Sequence, residues 1–336
     1  MKLMLPYVDE TVGSVLSRSA RQLCLPVERL VRALTGRRVL EHPQLVANYP
    51  DLGAAFEMTP DEFLRRHTTL PYALAFVPTA SRNHVWQRLV SDAHDGQSCG
   101  TALRSGLACQ EYLRYCPACI EDDLVRFGET YWHRSHQLPA VTICVQHRRQ
   151  LVASVVRVQS ALPVVPPHEL PLAVPDPSWL PASVGWGIAR WSFDALHGRL
   201  DASASWSDWY LELAGRCGYL HPRRSVTSSL LTHDLQRFYG TTFLAGADCS
   251  CEPEHAWAWP GQLLHPRVRP VATPLKYILL AVFLETRPTP SCRLVDWRLR
   301  HKTTRAAVAP PRIATSVVIR QAGALVMGSS KPYTAS

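Results

Sequence analysis

The chain has 336 residues, 46% hydrophobic and 19% charged, which excludes a disordered polymer and leaves room for two or three domains. It contains no apolar run long enough to cross a bilayer, and acids come too early for a secretory leader, so we expect a cytoplasmic protein with no membrane partner. The formal net charge is +9, and all but four of the 36 basic residues are arginines. Arginine excess favours a nucleic-acid partner, although a genome of biased base composition produces the same excess.

Residues 9 to 38 are predicted to form a helix-turn-helix pair. Asp9 or Thr11 can cap the first helix, Pro26 suits the first turn of the second, and Gly36 suits its end. The arginines outside the two apolar stripes are candidate DNA contacts: Arg18, Arg29, Arg32, Arg37 and Arg38. A second helix that presents Arg29 and Arg32 fits a major groove, and the alternative is an ordinary helical hairpin with a solvated basic face.

The next predicted element is a short helix capped by Thr59, which is followed by a basic and aromatic segment. In that segment Leu70, Tyr72 and Phe76 are predicted to be core residues, and His67 is predicted to be a packed or solvated histidine and not a ligand.

Two pairs of metal-binding residue types define the middle of the chain. Cys116 and Cys119 form a C-x2-C knuckle, Cys144 and His147 form a C-x2-H knuckle, and 24 residues lie between the knuckles. This spacing lets four side chains turn toward one ion and predicts a tetrahedral zinc site. Four protein ligands leave no open position, so the ion is expected to be structural. The alternative is disulfides or unpaired thiols, which a reducing cytosol disfavours.

Between the knuckles, residues 120 to 127 are predicted to form a helix that ends at Gly128, and residues 137 to 144 to return to the ion as an extended segment. His136 is either a spare ligand or a hydrogen-bond donor near the ion, ranked below His147. Three arginines are expected to be exposed candidates for phosphate contact, or else part of a solvated basic rim: Arg134, Arg148 and Arg149.

The second half is predicted to be mostly helical. Residues 158–185 are rich in proline and valine and are interpreted as a linker, and residues 275–284 are predicted to form a buried apolar helix. Cys249, Cys251 and His255 are close in sequence but lack a convincing fourth ligand, so a second zinc site is the less favoured interpretation.

Several stretches of the chain closely resemble the TniQ/TnsD family of transposon target-selection proteins. In the zinc region they are Tyr115–Cys119, Tyr131–Pro139 and Cys144–His147. The N-terminal part contributes Pro6, Asp9, Glu10, Ser14, Arg18 and Thr69–Tyr72 with Phe76. The second half contributes Phe238–Gly240 and Thr273–Leu280, although family members usually carry a His-Pro pair and a further histidine in the latter segment, where this chain has Thr-Pro and Tyr277.

The resemblance, which extends over roughly residues 5 to 290, implies a non-enzymatic adaptor in a bacterial, nucleoid-associated setting. Such proteins bind double-stranded DNA or a guide-RNA surveillance complex and recruit an AAA+ ATPase regulator, and a homodimer is compatible with this role. Two alternatives remain: a zinc-containing transcription regulator that reads DNA through its helix pairs, and a zinc-dependent nuclease, which needs an open metal position.

The predicted fold is therefore mainly α-helical, with a small zinc-ribbon-like module and helix-turn-helix-type helical domains on either side. The predicted divisions are residues 1–90 (N-terminal helical domain), 91–157 (zinc-binding module), 158–185 (linker), 186–300 (C-terminal helical domain) and 301–336 (irregular tail).

Overall fold

The structure is a computed structural model. It describes residues 3–36, 49–91, 111–158, 165–171, 180–200, 206–220, 228–255, 258–265 and 273–287. Within these ranges the fold is mainly helical with a single two-stranded sheet, which confirms the predicted fold class. The predicted tail, residues 301–336, lies outside them, and no described helix is both long and apolar enough to span a membrane.

The N-terminal part consists of helices. They are α1 (Val12–Gln22), α2 (Val27–Thr35), α3 (Tyr49–Ala55), α4 (Pro60–His67), α5 (Leu70–Ala73) and α6 (Thr79–Ser91). The Thr11 side chain accepts a hydrogen bond from the Ser14 N–H and caps α1, and Thr59 forms a capping box with Glu62 at the start of α4. The helix pair and the capped helix predicted from the sequence are therefore confirmed.

Helix α1 lies at the centre of this part, because every residue from 12 to 20 is buried. An amphipathic helix would leave one face in water. Helix α2 follows that rule: Val27, Leu30 and Val31 are buried, whereas Arg29 and Arg32 are exposed. The polar side of α1 must therefore be covered by another part of the chain.

The middle part contains β1 (Tyr112–Tyr115), α7 (Pro117–Phe127), a 3-10 turn (Arg134–Gln137) and β2 (Val152–Arg157). The strands pair antiparallel, with Tyr115 opposite Val152 and an irregular register between Tyr112 and Arg114. Helix α7 ends at Gly128, which has the left-handed φ of 74° and confirms the predicted stop. Residues 137–144, which were predicted to return to the ion as an extended segment, are instead irregular after the 3-10 turn ends at Gln137. Within this described segment Ile143 forms an isolated β-bridge with Gln150.

This middle part covers the polar side of α1. Glu10 forms an isolated β-bridge with His133, and the Thr11 N–H donates to the Trp132 carbonyl at 2.9 Å. The Trp132 indole is itself almost fully buried. The predicted boundary near residue 90 therefore separates two parts that share one core.

The C-terminal part is helical, as predicted. Its helices are α8 (Ala182–Leu196), α9 (Trp206–Arg216), α10 (Ser228–Tyr239), α11 (Thr241–Gly246), α12 (Trp259–Leu263) and α13 (Pro274–Thr286). Helix α13 is buried continuously from Tyr277 to Leu284, which confirms the predicted apolar helix. Two tyrosine hydroxyls donate to its carbonyls, from Tyr210 to Tyr277 and from Tyr239 to Leu279, each at 2.7 Å.

A close contact joins α8 to the middle part. A Cβ added at Gly185 would lie 3.0 Å from Ile143 Cδ1, so a larger residue would require the Ile143 side chain to shift. Ile143 immediately precedes Cys144, and α8 therefore supports the second metal knuckle directly.

The predicted linker, residues 158–185, is partly packed against the other segments. Residues 165–171 are docked: the Trp132 Nε1–H donates to the Val165 carbonyl at 2.9 Å, the Thr130 hydroxyl lies 2.7 Å from His168 Nδ1, and Arg21 forms an ion pair with Glu169. Helix α8 begins at Ala182, before the predicted boundary.

Candidate metal centre and basic surface

Both knuckles occupy tight backbone turns. Cys116 is the N-cap residue of α7 and Cys119 lies in its first turn. The second knuckle is closed by the Cys144 N–H donating to the Arg149 carbonyl at 2.8 Å and the Arg148 N–H donating to the Cys144 carbonyl at 2.9 Å. Arg148 adopts a left-handed φ of 53°, which turns the chain back after His147.

The four side chains converge. Their ligand atoms all lie within 4.8 Å of one another, and the three cysteines are buried. Cys119 Sγ is 3.7 Å from Cys144 Sγ, and His147 Nδ1 is 3.7 Å from the sulfur atoms of Cys116 and Cys144. Tetrahedral zinc with ordinary bond lengths places two sulfurs about 3.8 Å apart and a sulfur and a nitrogen about 3.6 Å apart. Cys119 Sγ is closer to His147 Nδ1, at 3.3 Å, and the cluster as a whole could hold one tetrahedral metal ion.

The charges of the thiols also favour a cation. Hydrogen bonding from Cys119 and Cys144 lowers the pKa of the Cys116 thiol, whereas contact with Cys116 raises the pKa of Cys119 and raises that of Cys144 to about 11. Crowding of the three sulfurs thus opposes the loss of all three thiol protons at once. Three thiolates together require a positive ion between them.

His147 is oriented by a carboxylate. Its Nε2 lies 2.9 Å from Asp122 Oδ2, which leaves Nδ1 directed at the three sulfurs. A metal-binding histidine commonly donates its second N–H to a carboxylate, which fixes the ring and strengthens the ligand. The sequence analysis did not assign this role to Asp122, although its position three residues after Cys119 places it on the side of α7 that faces the cluster.

His136 lies beside the cluster but outside the set of four. Its Nε2 is 3.9 Å from Cys119 Sγ, and burial lowers the pKa of this histidine to about 3, so the ring is neutral. His147 therefore belongs to the set of four that could hold an ion, whereas His136 contacts one of the four from outside the set.

The Arg18 side chain is buried, which contradicts its prediction as a DNA contact. It is only 5% exposed, and Nε and Nη2 bind both oxygens of Glu10 at 2.8 and 2.9 Å. Its Nη1 binds Glu129 Oε1 at 2.6 Å, and the guanidinium lies 4.0 Å from the centre of the Tyr7 ring. Two carboxylates and an aromatic ring thus hold it between α1 and the middle part.

Arg134 was expected to be exposed, and the structure corrects this too. Its side chain is 3% exposed and pairs with Asp9, and Nη1 donates to the carbonyls of Arg65 and Thr68 at 2.6 and 2.7 Å. The Asp9 carboxylate also accepts from the N–H and the hydroxyl of Ser135. Arg134 therefore connects α4 to the metal-binding part and is buried away from DNA.

The other predicted arginines have different positions. Arg29 and Arg32 are exposed on α2, and Arg148 and Arg149 are exposed on the second knuckle. The Arg148 guanidinium lies 4.7 Å from the centre of the Trp186 ring on α8, a contact that the sequence analysis missed because the partner is distant in the chain. Arg37 and Arg38 lie outside the described residues.

A second cluster of metal-binding geometry is not found among the described residues, which include Cys249, Cys251 and His255. Cys249 and Cys251 are buried in the C-terminal core, whereas His255 is exposed, and the Trp259 indole donates to the Cys249 carbonyl. The two cysteines are therefore accounted for as core residues of the C-terminal part.

Comparison with known proteins extends these observations. A family model described as TniQ matches residues 4–151, and one described as Tn7-like transposition protein D (TnsD) matches residues 201–302. The chain belongs to the TniQ/TnsD family. It is 25% identical to the transposon Tn7 transposition protein TnsD of Escherichia coli over 155 residues, which are 42% of this chain and 29% of that protein. The matched region is thus less than a third of the relative's length.

The TniQ segment contains α1 to α7 and all four metal-binding residues. Three of the N-terminal residues that carry the resemblance lie inside the protein: Glu10, Ser14 and Arg18. The Ser14 hydroxyl donates to Glu10 at 2.8 Å and accepts from the Trp132 N–H at 3.1 Å, next to the pair of Glu10 with Arg18. This part of the TniQ pattern therefore connects the helical part to the metal-binding part.

The TnsD segment contains α9 to α13. Tyr277, which stands where TnsD-like sequences usually have a histidine, is 6% exposed, and its ring stacks on Phe76 with 4.7 Å between centroids. The tyrosine thus joins the N-terminal helices to α13.

Proposed function

We propose that the chain is a non-catalytic adaptor that selects the target site in DNA transposition, binds double-stranded DNA and recruits an AAA+ ATPase regulator. The observation that carries the proposal is that two models of one transposition-related family match successive segments of the same chain. The curated relative is also described as a transposition protein. Target selection, DNA binding and recruitment by this chain are parts of the proposal.

The DNA-binding surface that we propose begins with α2. Arg29 and Arg32 are three residues apart on a helix and both are exposed, opposite the buried Leu30 and Val31. Burial of α1 fixes the direction in which α2 projects. A helix held in this way can enter a major groove, where arginine binds guanine edges or phosphates.

The second contact that we propose is the knuckle after Cys144, where Arg148 and Arg149 are exposed. Zn²⁺ bound by Cys116, Cys119, Cys144 and His147 would crosslink this turn to the start of α7. The turn would then present both arginines with little loss of backbone entropy on binding. We assign the ion no chemical step, because four protein ligands leave no place for an activated water.

Capture and transposition assays test the proposal. The tagged protein, immobilised with duplex DNA, is expected to retain the AAA+ ATPase encoded by its own transposon, and deletion of its gene is expected to abolish insertion at the usual target. Failure to retain the ATPase, together with unchanged insertion, would overturn the proposal. Sequence-specific binding to a promoter without any effect on transposition would identify a transcription regulator, and metal-dependent cleavage of DNA would identify a nuclease.

A further inference from the structure

A groove lies between the N-terminal helices and the end of α8, and its lining contains none of the four residues of the metal cluster. It has a volume of about 440 Å³ and is lined by residues of α4, α5, α6 and the turn after α8. Its apolar lining includes Pro71, Leu74, Ala195 and Leu200, and its polar lining includes two arginines, Arg65 and Arg82. Small-molecule sites commonly combine such a volume with an apolar lining and a few polar groups.

One wall of the groove is a stacked pair. The Arg65 guanidinium lies 4.5 Å from the centre of the Trp86 ring. Asp61 fixes both partners: it accepts from Arg65 Nε at 2.7 Å and Nη2 at 3.0 Å, and from Trp86 Nε1 at 2.7 Å. The Arg65 side chain is nevertheless 59% exposed. The fixed guanidinium can therefore stack with a further planar group on its free side.

Helix α6 supplies the polar rim. Arg82, Asn83 and Gln87 line the groove together with Trp86. Arg82 places a positive charge in the lining of the groove, where it can bind an anion. Asn83 and Gln87 each offer a donor and an acceptor, which is the combination presented by a nucleobase edge.

We propose that this groove binds one unpaired nucleotide of a single-stranded nucleic-acid segment. The base stacks on the Arg65 guanidinium, Asn83 or Gln87 binds its edge, and Arg82 binds the phosphate. Proteins commonly bind unpaired bases by stacking them on aromatic rings or guanidinium planes beside basic groups. The inference goes beyond the proposed function, since duplex binding through α2 does not require an unpaired base.

An acidic peptide fits these groups less well. A carboxylate can use only the N–H₂ donors of Asn83 and Gln87, whereas a base edge also uses their carbonyl oxygens. The stacked, half-exposed guanidinium offers a flat surface, which a carboxylate at its edge does not use.

The test compares two single strands, oligothymidylate and an abasic strand of equal length, bound to the full-length protein in a fluorescence anisotropy titration. Arg65→Lys keeps the charge and removes the planar surface. We expect this variant to bind oligothymidylate about tenfold more weakly, as for the loss of one stacked base, and to bind the abasic strand as the wild type does.

Arg126→Ala is the control, because Arg126 is an exposed arginine of α7 whose guanidinium lies 5.2 Å from the Phe127 ring, outside the groove. It is expected to reduce binding to both strands equally and slightly. The proposal is overturned if Arg65→Lys weakens both strands equally, if it weakens neither, or if polyglutamate displaces oligothymidylate from the wild type but not from Arg65→Lys. Matching thermal unfolding of the variants confirms that they are folded, and unchanged duplex binding separates this result from the proposed function.

Discussion

Arg18 and Glu10 form a bidentate ion pair in the interior, with N–O distances of 2.8 and 2.9 Å and almost no exposure of either side chain. The pair links α1 to the segment before it, and Glu129 extends the contact to the metal-binding part. Desolvation raises the pKa of Glu10 and Arg18 opposes that shift. The carboxylate therefore depends on its partner.

Replacing Arg18 with methionine removes that partner. The variant leaves the buried Glu10 carboxylate without its charged partner, although the Ser14 hydroxyl and the Tyr7 N–H still donate to it. We therefore expect the free energy of unfolding, measured by urea denaturation, to fall by about 3–5 kcal/mol. Arg29→Met is the matched control on the exposed face of α2 and should change stability by about 0.5 kcal/mol or less. Equal effects of the two variants would contradict the buried network.

Replacing Cys119 with serine removes a ligand at the centre of the cluster. We expect the purified protein to lose its bound zinc and the surrounding part to unfold, since binding and folding are coupled. Metal content by mass spectrometry and circular dichroism measure the two effects. Cys24→Ser is the control, because Cys24 is an exposed cysteine outside the cluster. Wild-type protein without stoichiometric metal would refute the site.

Asp122 is expected to matter for metal affinity although it does not touch the ion. Asp122→Asn weakens the hydrogen bond that orients His147, and we expect zinc affinity to fall about 10–100-fold in a competition with a chelator. Glu121→Gln, at the neighbouring exposed position, is expected to leave the affinity unchanged. An equal loss of affinity in both variants would indicate an effect of the net negative charge near the cluster and not of the orientation of His147.

Arg29 and Arg32 provide a test of the DNA surface. If each arginine contacts one phosphate, the double variant Arg29→Ala, Arg32→Ala should bind duplex DNA with a weaker salt dependence. The magnitude of the slope of log K for binding against log salt concentration should fall by about 1.8. Electrophoretic or anisotropy titrations over a range of salt measure this slope. Arg126→Ala, on the outer surface of α7, is the control. An unchanged slope would return both arginines to a solvated basic face.

Burial of His67 is expected to make the stability of the protein depend on pH. This histidine is buried with Nδ1 3.1 Å from the Glu10 carbonyl, and burial lowers its pKa from 6.5 to about 4. The unfolded state binds the proton of His67 more readily than the folded state does. The contribution of the neutral, buried ring to the free energy of unfolding is therefore present above about pH 6.5 and is lost as the pH falls toward 4. The loss is about 3 kcal/mol. Urea denaturation at each pH measures the difference in free energy of unfolding between the wild type and His67→Gln. We expect this difference to decrease from pH 6.5 to pH 4, and a constant difference would contradict the prediction.

The sequence by itself determined the local features. Two-residue spacing identified Cys116, Cys119, Cys144 and His147, because a knuckle is a property of neighbouring residues. Caps and periodicity located α1, α2 and α4 for the same reason. The family resemblance also needed only short stretches of sequence.

Tertiary structure alone decided which polar side chains are buried. Arg18 and Arg134 looked like surface arginines, because helical periodicity separates polar from apolar faces but does not say what covers the polar face. In the fold, Glu10, Glu129 and Asp9 satisfy their charges from segments distant in the chain. The groove beside Trp86 likewise forms only where α6 meets the end of α8, and local sequence does not specify that meeting.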